Sequence, residues 1–116
     1  MKSIVKIAAM IVLFGIGGVS AALASNVKSV VVTNNTSYTM TQFYASSSAA
    51  SGWDTTTNLF AGQSLAPGQQ ATIDVSSAGG SDCTLDLMAV LYGATQAAYT
   101  YSVNACGGGS WSITGM

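Results

Sequence analysis

Apolar and polar residues alternate in short stretches from residue 27 onward, which is the pattern of β-strands with one buried face. Ser, Thr, Gly, Asn and Pro separate these stretches, and turns recur about every 8–12 residues, as in β-sandwiches and small barrels. The pattern predicts strands over residues 27–33, 38–45, 70–75, 83–92, 98–105 and 110–114, with residues 58–60 as a further short edge strand.

We therefore predict an all-β protein, a compact six- to seven-stranded antiparallel β-sandwich or small barrel. The short polar segment 34–37 separates the first two strands and predicts a hairpin between them. Residues 83–92 form the most apolar stretch, with alternate residues from Leu85 to Leu91 on one face. Composition alone would also allow a helix there, but the Thr, Val and Tyr content favours a central strand.

The N-terminal segment has the three-part order of a secretory signal peptide. Two lysines accompany an uncharged apolar run at residues 7–19, and residues 22–24 then read Ala-Leu-Ala. The run is shorter than the ~20 residues of a membrane-spanning helix, although an uncleaved anchor is the alternative. We predict a signal peptide at residues 1–24 and a single β-sandwich domain at residues 25–116. We expect no membrane span after cleavage and a periplasmic or secreted location.

The two cysteines, Cys83 and Cys106, are expected to form one structural disulfide. Export would place them in an oxidising compartment, where two thiols of a small domain normally pair. In the chain-entropy model, a bridge over this span stabilises the fold by roughly 3 kcal/mol. The chain has no histidine, and two thiols alone do not make a zinc site. We therefore expect no metal and no other cofactor.

Charged residues are scarce, and this argues against several classes of function. The chain has three Lys, four Asp and no Arg, Glu or His, and charged residues make up 6% against about 25% in an average protein. Without His, a catalytic triad or a Cys–His pair cannot form. Phosphoryl transfer and nucleic-acid binding lack their basic groups. Two Asp carboxylates could hydrolyse glycosides only in a cleft that so small a chain does not easily build. We expect a protein that is not an enzyme.

The aromatic residues are the main candidates for a binding surface. Exposed rings could stack on sugar faces while Ser, Thr, Asn and Gln bond the sugar hydroxyls; the other interpretation is that the rings pack in the core or cover a sheet. The preferred contact region is the loop of residues 46–58, with Trp53 and Asp54 as binding residues. The full aromatic set is Tyr38, Tyr44, Trp53, Tyr99, Tyr101 and Trp111.

The aspartates have two interpretations. Asp54, Asp82 and Asp86 could supply oxygen ligands to Ca²⁺, but solvated or turn-forming carboxylates are the simpler interpretation. Asp86 lies within the most apolar predicted strand, where a carboxylate needs a partner or solvent. We expect it to accept backbone N–H groups of a neighbouring loop.

The order of several short motifs resembles a group of small exported bacterial proteins of unknown function. The motifs are GWD followed by NLF, then LAPG, then CTLDL with a late cysteine, and they span most of residues 27–106. In that group a Trp-Gly segment closed by Asp/Asn-Leu-Leu, a Leu-x-x-Gly turn before a strand and a Cys-x-x-Asp-Leu strand paired with a late Cys follow one another. The resemblance implies a compact β-fold and a cell-envelope location, and it implies no activity.

We expect an exported, non-catalytic binding or assembly protein of the bacterial cell envelope, whose partner is another protein or a second copy of itself. The alternative is a carbohydrate-binding module that uses exposed aromatics to hold a glycan. Residues 25–116 contain one Lys and four Asp but 26 Ser and Thr among 92 residues. We therefore expect apolar, aromatic and hydroxyl contacts, rather than charge, to dominate binding.

Overall fold

The computed structural model describes residues 28–115, which form six β-strands in two three-stranded sheets and contain no helix. The predicted all-β sandwich with one disulfide is confirmed, whereas the predicted signal peptide at residues 1–24 lies outside the described residues. The strands are β1 (Ser29–Asn34), β2 (Thr39–Ser47), β3 (Gln70–Asp74), β4 (Thr84–Tyr92), β5 (Ala98–Asn104) and β6 (Gly109–Ile113).

Sheet one has the strand order β3–β1–β6, and sheet two has the order β2–β4–β5. Strand β1 pairs antiparallel with β3 and parallel with β6. Both strand pairs of sheet two are antiparallel. Within residues 28–115, the β1–β6 pair therefore departs from the antiparallel arrangement that the sequence pattern predicts.

The predicted hairpin between the first two strands is wrong, because β1 and β2 lie in different sheets. Asn34 ends β1 and is fully buried, and its amide donates to the carbonyls of Tyr38 (2.8 Å) and Leu65 (2.9 Å). Its Oδ1 accepts hydrogen bonds from the backbone N–H and the hydroxyl of Thr36. A buried amide must be paired, and these bonds fix the corner at which the chain leaves sheet one.

The segment of residues 58–60, predicted as a short edge strand, is a turn that lies beside β2. The Asn58 side chain accepts the N–H groups of Phe43 (3.0 Å) and Phe60 (2.9 Å). The Leu59 N–H donates to the carbonyl of Phe43 (2.8 Å). The segment therefore covers the outer edge of β2 through a side chain and one main-chain bond, without becoming a strand.

The hydrophobic core lies between the inner faces of the two sheets. In sheet one, Val30 lies opposite Ile73 and Val32 opposite Ala71, and all four side chains are buried. Each large aliphatic side chain removed from water in this way contributes about 1.5–3 kcal/mol. The inward face predicted for β4 is confirmed, since its residues are buried: Leu85, Leu87, Ala89 and Leu91.

Phe43 and Trp111 pack across the two sheets, with ring centroids 6.2 Å apart. Strand β6 carries Trp111, and its first residue, Gly109, lies against the end of β5. A Cβ atom at Gly109 would lie only 2.7 Å from the carbonyl oxygen of Asn104 and 2.9 Å from Val103 Cγ1. Glycine is therefore required here, because any side chain would push β6 away from β5.

Lys28 is buried, with 5% of its surface exposed, and it lies just before β1. Its ammonium group donates to the main-chain carbonyls of Ala78, Gly80 (2.9 Å) and Asp82 (3.0 Å). Three donors thus meet three acceptors, which is the full hydrogen-bonding capacity of an ammonium group. A buried charge is tolerated only with such pairing, so the lysine and the loop stabilise one another.

The loop of residues 76–82 that surrounds this ammonium connects β3 of sheet one to β4 of sheet two. Gly79 is at its centre with a φ of 70°, and a Cβ atom there would lie 2.7 Å from Leu85 Cδ2. Glycine satisfies both the left-handed backbone and the close approach to the core. The Lys28 N–H also donates to the hydroxyl of Ser76 (3.1 Å), so the lysine holds the start of the loop as well.

The predicted disulfide is confirmed: Cys83 and Cys106 are bonded, across 23 positions of sequence. It ties the start of β4 to the residues that follow β5, beside the isolated bridge between Lys28 and Cys106. A disulfide suggests an oxidising, non-cytoplasmic environment. Between residues 28 and 115, no helix has the length and hydrophobicity to cross a membrane.

Replacing Lys28 with Met should lower the free energy of unfolding by about 1–3 kcal/mol, because the aliphatic chain is kept while carbonyls of the loop lose their donor. Urea titration followed by tryptophan fluorescence measures this change. Lys28→Arg is the matched control, since it retains the charge and should lose less. Equal stability of Lys28→Met and the wild type would show that the ammonium does not hold the loop.

Candidate functional site

The outer face of sheet two is crossed by a long loop, residues 48–58, which we call the crossing loop. It leaves the end of β2, at one edge of the sheet, and its Trp53 contacts Tyr99 and Tyr101 on β5, at the other edge. It then returns to β2 through the hydrogen bond between Asn58 and Phe43. The crossing loop therefore spans all three strands of sheet two.

Three residues of the outer face are buried although they point away from the core between the sheets. Tyr44 and Met88 are paired neighbours on β2 and β4, and Ser46 lies two residues beyond Tyr44. The Ser46 hydroxyl accepts the backbone N–H of Asp54 (2.8 Å), which holds the crossing loop against the sheet. The loop excludes water from this part of the face, which accounts for the burial.

The exposed part of the site is a group of three aromatic rings, Trp53, Tyr99 and Tyr101, which we call the aromatic surface. The Trp53 ring centroid lies 5.5 Å from that of Tyr99 and 6.1 Å from that of Tyr101. The rings are tilted by 46° and 50°, so they enclose an angle rather than forming one flat platform. Trp53 is half-buried, whereas Tyr99 and Tyr101 are 47% and 61% exposed.

The six aromatic residues proposed from the sequence therefore fall into two groups, one packed in or against the core and one exposed as a candidate binding surface. Trp111 packs against Phe43, Tyr44 is buried, and Tyr38 packs at the border of the core. The other three residues form the aromatic surface. The sequence predicts Tyr99 and Tyr101 as members of this set but names only Trp53 among the rings as a binding residue, although the spacing of two places both tyrosines on one face of an alternating strand. Their contact with Trp53 depends on the path of the crossing loop, which the sequence pattern does not reveal.

Asp86 lies on the same outer face, at a β-bulge that shifts the pairing register between β4 and β5. Two residues of β5, Tyr101 and Ser102, oppose Asp86, and Ser102 has a φ of 57°. The Asp86 Oδ1 accepts the Ser102 N–H (3.0 Å) and the Ser48 hydroxyl (2.6 Å). The carboxylate thus bonds a backbone N–H as expected, but this N–H belongs to a strand bulge. Its bond to the Ser48 hydroxyl also anchors the crossing loop.

Asp54, the second predicted binding residue, is exposed and follows Trp53 in the crossing loop. Its Oδ1 accepts hydrogen bonds from the hydroxyl (2.6 Å) and the backbone N–H (3.0 Å) of Thr56. These bonds favour the ionised carboxylate, the hydroxyl having the larger effect, and they lower the pKa of Asp54 below its ordinary value. Asp54 therefore stays negatively charged to lower pH than a typical exposed aspartate.

The third acidic residue considered for calcium, Asp82, accepts a hydrogen bond from the Ser47 hydroxyl at the end of β2. Side chains point to alternate faces along β2, so Ser47 does not share the outer face with Ser46. Asp82, which bonds Ser47, therefore lies at the end of the sheet and not on its outer face. The part of the chain from residue 28 to residue 115 contains no group of three or more His, Cys, Asp or Glu side chains that could hold a metal ion.

Comparison with known proteins found no matching family model, no matching curated protein and no matching solved structure.

Replacing Thr56 with Val should raise the pKa of Asp54 toward the ordinary value of an aspartate, because the hydroxyl donor is removed while the backbone N–H remains. A pH titration of the side-chain carboxyl signals by NMR measures the pKa. Thr55→Val is the control, since the Thr56 bonds are retained and the pKa of Asp54 should not change. An unchanged pKa in Thr56→Val would contradict the assigned hydrogen bond.

Proposed function

We propose that this protein is an exported, non-catalytic binding protein of the bacterial cell envelope, and that the aromatic surface is its contact site. The observation that carries the proposal is the exposure of Tyr99 and Tyr101 beside Trp53. Exposed large aromatic side chains that are clustered, rather than scattered, are typical of protein interaction sites. The partner in this proposal is another protein or a second copy of the chain.

The support for this surface includes its rigidity. The disulfide follows the end of β5, Asp86 holds the bulge that carries Tyr101, and Ser46 holds the crossing loop. Binding residues held on a fixed scaffold lose little conformational freedom when a partner arrives. Tyrosine and tryptophan add large contact areas at a small entropic cost, which suits them to such a site.

The proposed export rests on the signal-peptide pattern of residues 1–24 and agrees with the disulfide between Cys83 and Cys106. We expect cleavage between Ala24 and Ser25 in the mature protein. Intact-mass analysis of protein from the periplasm or the medium should therefore show the loss of residues 1–24. Full-length chain in a membrane fraction would instead support the uncleaved anchor.

Replacing Tyr101 with the photoreactive residue p-benzoylphenylalanine should trap the partner on irradiation of the native host, because this side chain is 61% exposed on the aromatic surface. Gel electrophoresis and mass spectrometry of the purified adduct measure the result, and an adduct of twice the monomer mass indicates self-association. Tyr92 is the matched control: it is also a tyrosine and is 77% exposed, but it is not part of the aromatic surface.

A discrete adduct at Tyr101 with none at Tyr92 is the expected result. The same adducts at both positions, or none at Tyr101, would contradict the proposed contact site. A polysaccharide adduct in place of a protein adduct would favour the carbohydrate-binding alternative. That alternative draws on the aromatic rings together with the hydroxyl-rich crossing loop, in which Thr55, Thr56 and Thr57 are all exposed.

A further inference from the structure

The accessible side-chain charge of residues 28–115 is entirely negative. The chain has no Arg or His, and the ammonium of Lys28 is buried with all three donors paired to carbonyls. The four carboxylates reach the surface: Asp54, Asp74 and Asp82 are exposed, and Asp86 is half-buried. A surface whose few charges are all negative still attracts positively charged groups, because no accessible cation in this range offsets the electric field of the carboxylates.

Two of these carboxylates flank the aromatic surface. Asp54 follows Trp53 in the crossing loop, and Asp86 faces Tyr101 across the bulge. The chain also brings the two aspartates close to one another: Ser46 bonds the Asp54 N–H, and Ser46 is the direct pairing partner of Asp86 between β2 and β4. Two negative charges therefore border exposed aromatic rings.

Each of the two carboxylates is oriented by the protein and keeps one oxygen available. In Asp54 both bonds from Thr56 reach Oδ1, and in Asp86 the bonds from Ser48 and Ser102 also reach Oδ1. Among the described residues, neither Oδ2 accepts a hydrogen bond from protein. The carboxylates are thus fixed through one oxygen, and the other can accept a hydrogen bond from a ligand.

Aromatic faces and carboxylates attract the same kind of group. The face of an aromatic ring carries partial negative charge and binds a cation placed over it. A guanidinium group is planar, stacks on tyrosine or tryptophan, and donates hydrogen bonds to carboxylate oxygens at its edge. Trp53 is tilted by 46° to Tyr99 and by 50° to Tyr101, so the three rings do not form the flat platform on which a flat sugar ring stacks.

Resting on the function proposed above, we infer that the aromatic surface binds an arginine side chain of the partner protein. The guanidinium stacks on an exposed tyrosine ring, Tyr99 or Tyr101, and donates hydrogen bonds to Asp54 and Asp86. The partner therefore presents an exposed arginine within its contact surface. A second copy of the described residues cannot supply it, because the chain contains no arginine.

The test is a pair of NMR titrations of the mature protein with N-acetylarginine methylamide and with N-acetylcitrulline methylamide, which has nearly the same shape and no charge. The indole N–H signal of Trp53 should shift saturably with the arginine compound, and the citrulline compound should bind about tenfold more weakly. Trp111, which packs against Phe43, provides an internal control signal that should not shift. Added salt should weaken the arginine binding, in contrast to the binding by uncharged contacts that the composition of the chain predicts.

Two variants separate local charge from overall charge. Asp54→Asn should weaken arginine binding by about two- to fivefold, in line with an exposed charge pair. Asp74→Asn removes the same charge from β3 in sheet one and should leave binding unchanged. The control is closely matched, because Asp74 Oδ1 accepts the N–H of Ser76 in the same two-residue turn that Asp54 forms with Thr56.

Equal binding of the arginine and citrulline compounds, or no shift of the Trp53 signal with either, would overturn the inference. Equal effects of Asp54→Asn and Asp74→Asn would also overturn it, since the attraction would then come from overall charge. The proposed binding function is tested separately. If a photoadduct forms at Tyr101 but the arginine compound binds no better than the citrulline compound, the proposed contact site would stand and the inference of an arginine partner would be wrong.

Discussion

The hydrogen bonds between the Lys28 ammonium and three carbonyls of the loop 76–82 determine how the two sheets are joined. A flexible connection between β3 and β4 would leave the start of β4 undefined. Here the loop surrounds the Lys28 ammonium. This places Asp82 within hydrogen-bonding distance of Ser47 and Cys83 within bonding distance of Cys106. The end of β2, where the crossing loop begins, is therefore fixed from the side of β4. The position of the aromatic surface depends on this sequence of contacts.

The same interaction determines the electrostatics of the surface. A lysine is ordinarily a surface residue whose charge balances nearby carboxylates. Because Lys28 is used inside the fold, the four aspartates are not offset by an accessible cation within the described residues. Charge is scarce in this chain, yet its distribution is one-sided. The number of charged residues therefore underestimates the electrostatic effect of Asp54 and Asp86, because these two carboxylates lie beside aromatic rings as well as solvent.

The strands could be predicted from the sequence because each depends on local alternation of apolar and polar residues, as in β4 from Leu85 to Leu91. The disulfide could be predicted because only two cysteines were available. The hairpin prediction failed because a short polar segment resembles a hairpin turn, whereas the buried amide of Asn34 bonds to Leu65, far along the chain. The partners of Trp53 and the enclosure of Lys28 depend on such distant contacts, so no local pattern could reveal them.

The parallel pairing of β1 with β6 also has a mechanical consequence. These are the first and last strands of the described chain, and they are neighbours that run in the same direction. The start of β1 and the end of β6 therefore lie at opposite ends of the pair. Force applied between these two ends acts along the strands and loads the hydrogen bonds from Val30 to Asn34 together, in shear. These hydrogen bonds must then break together, whereas in a pair pulled from one end they would open one at a time.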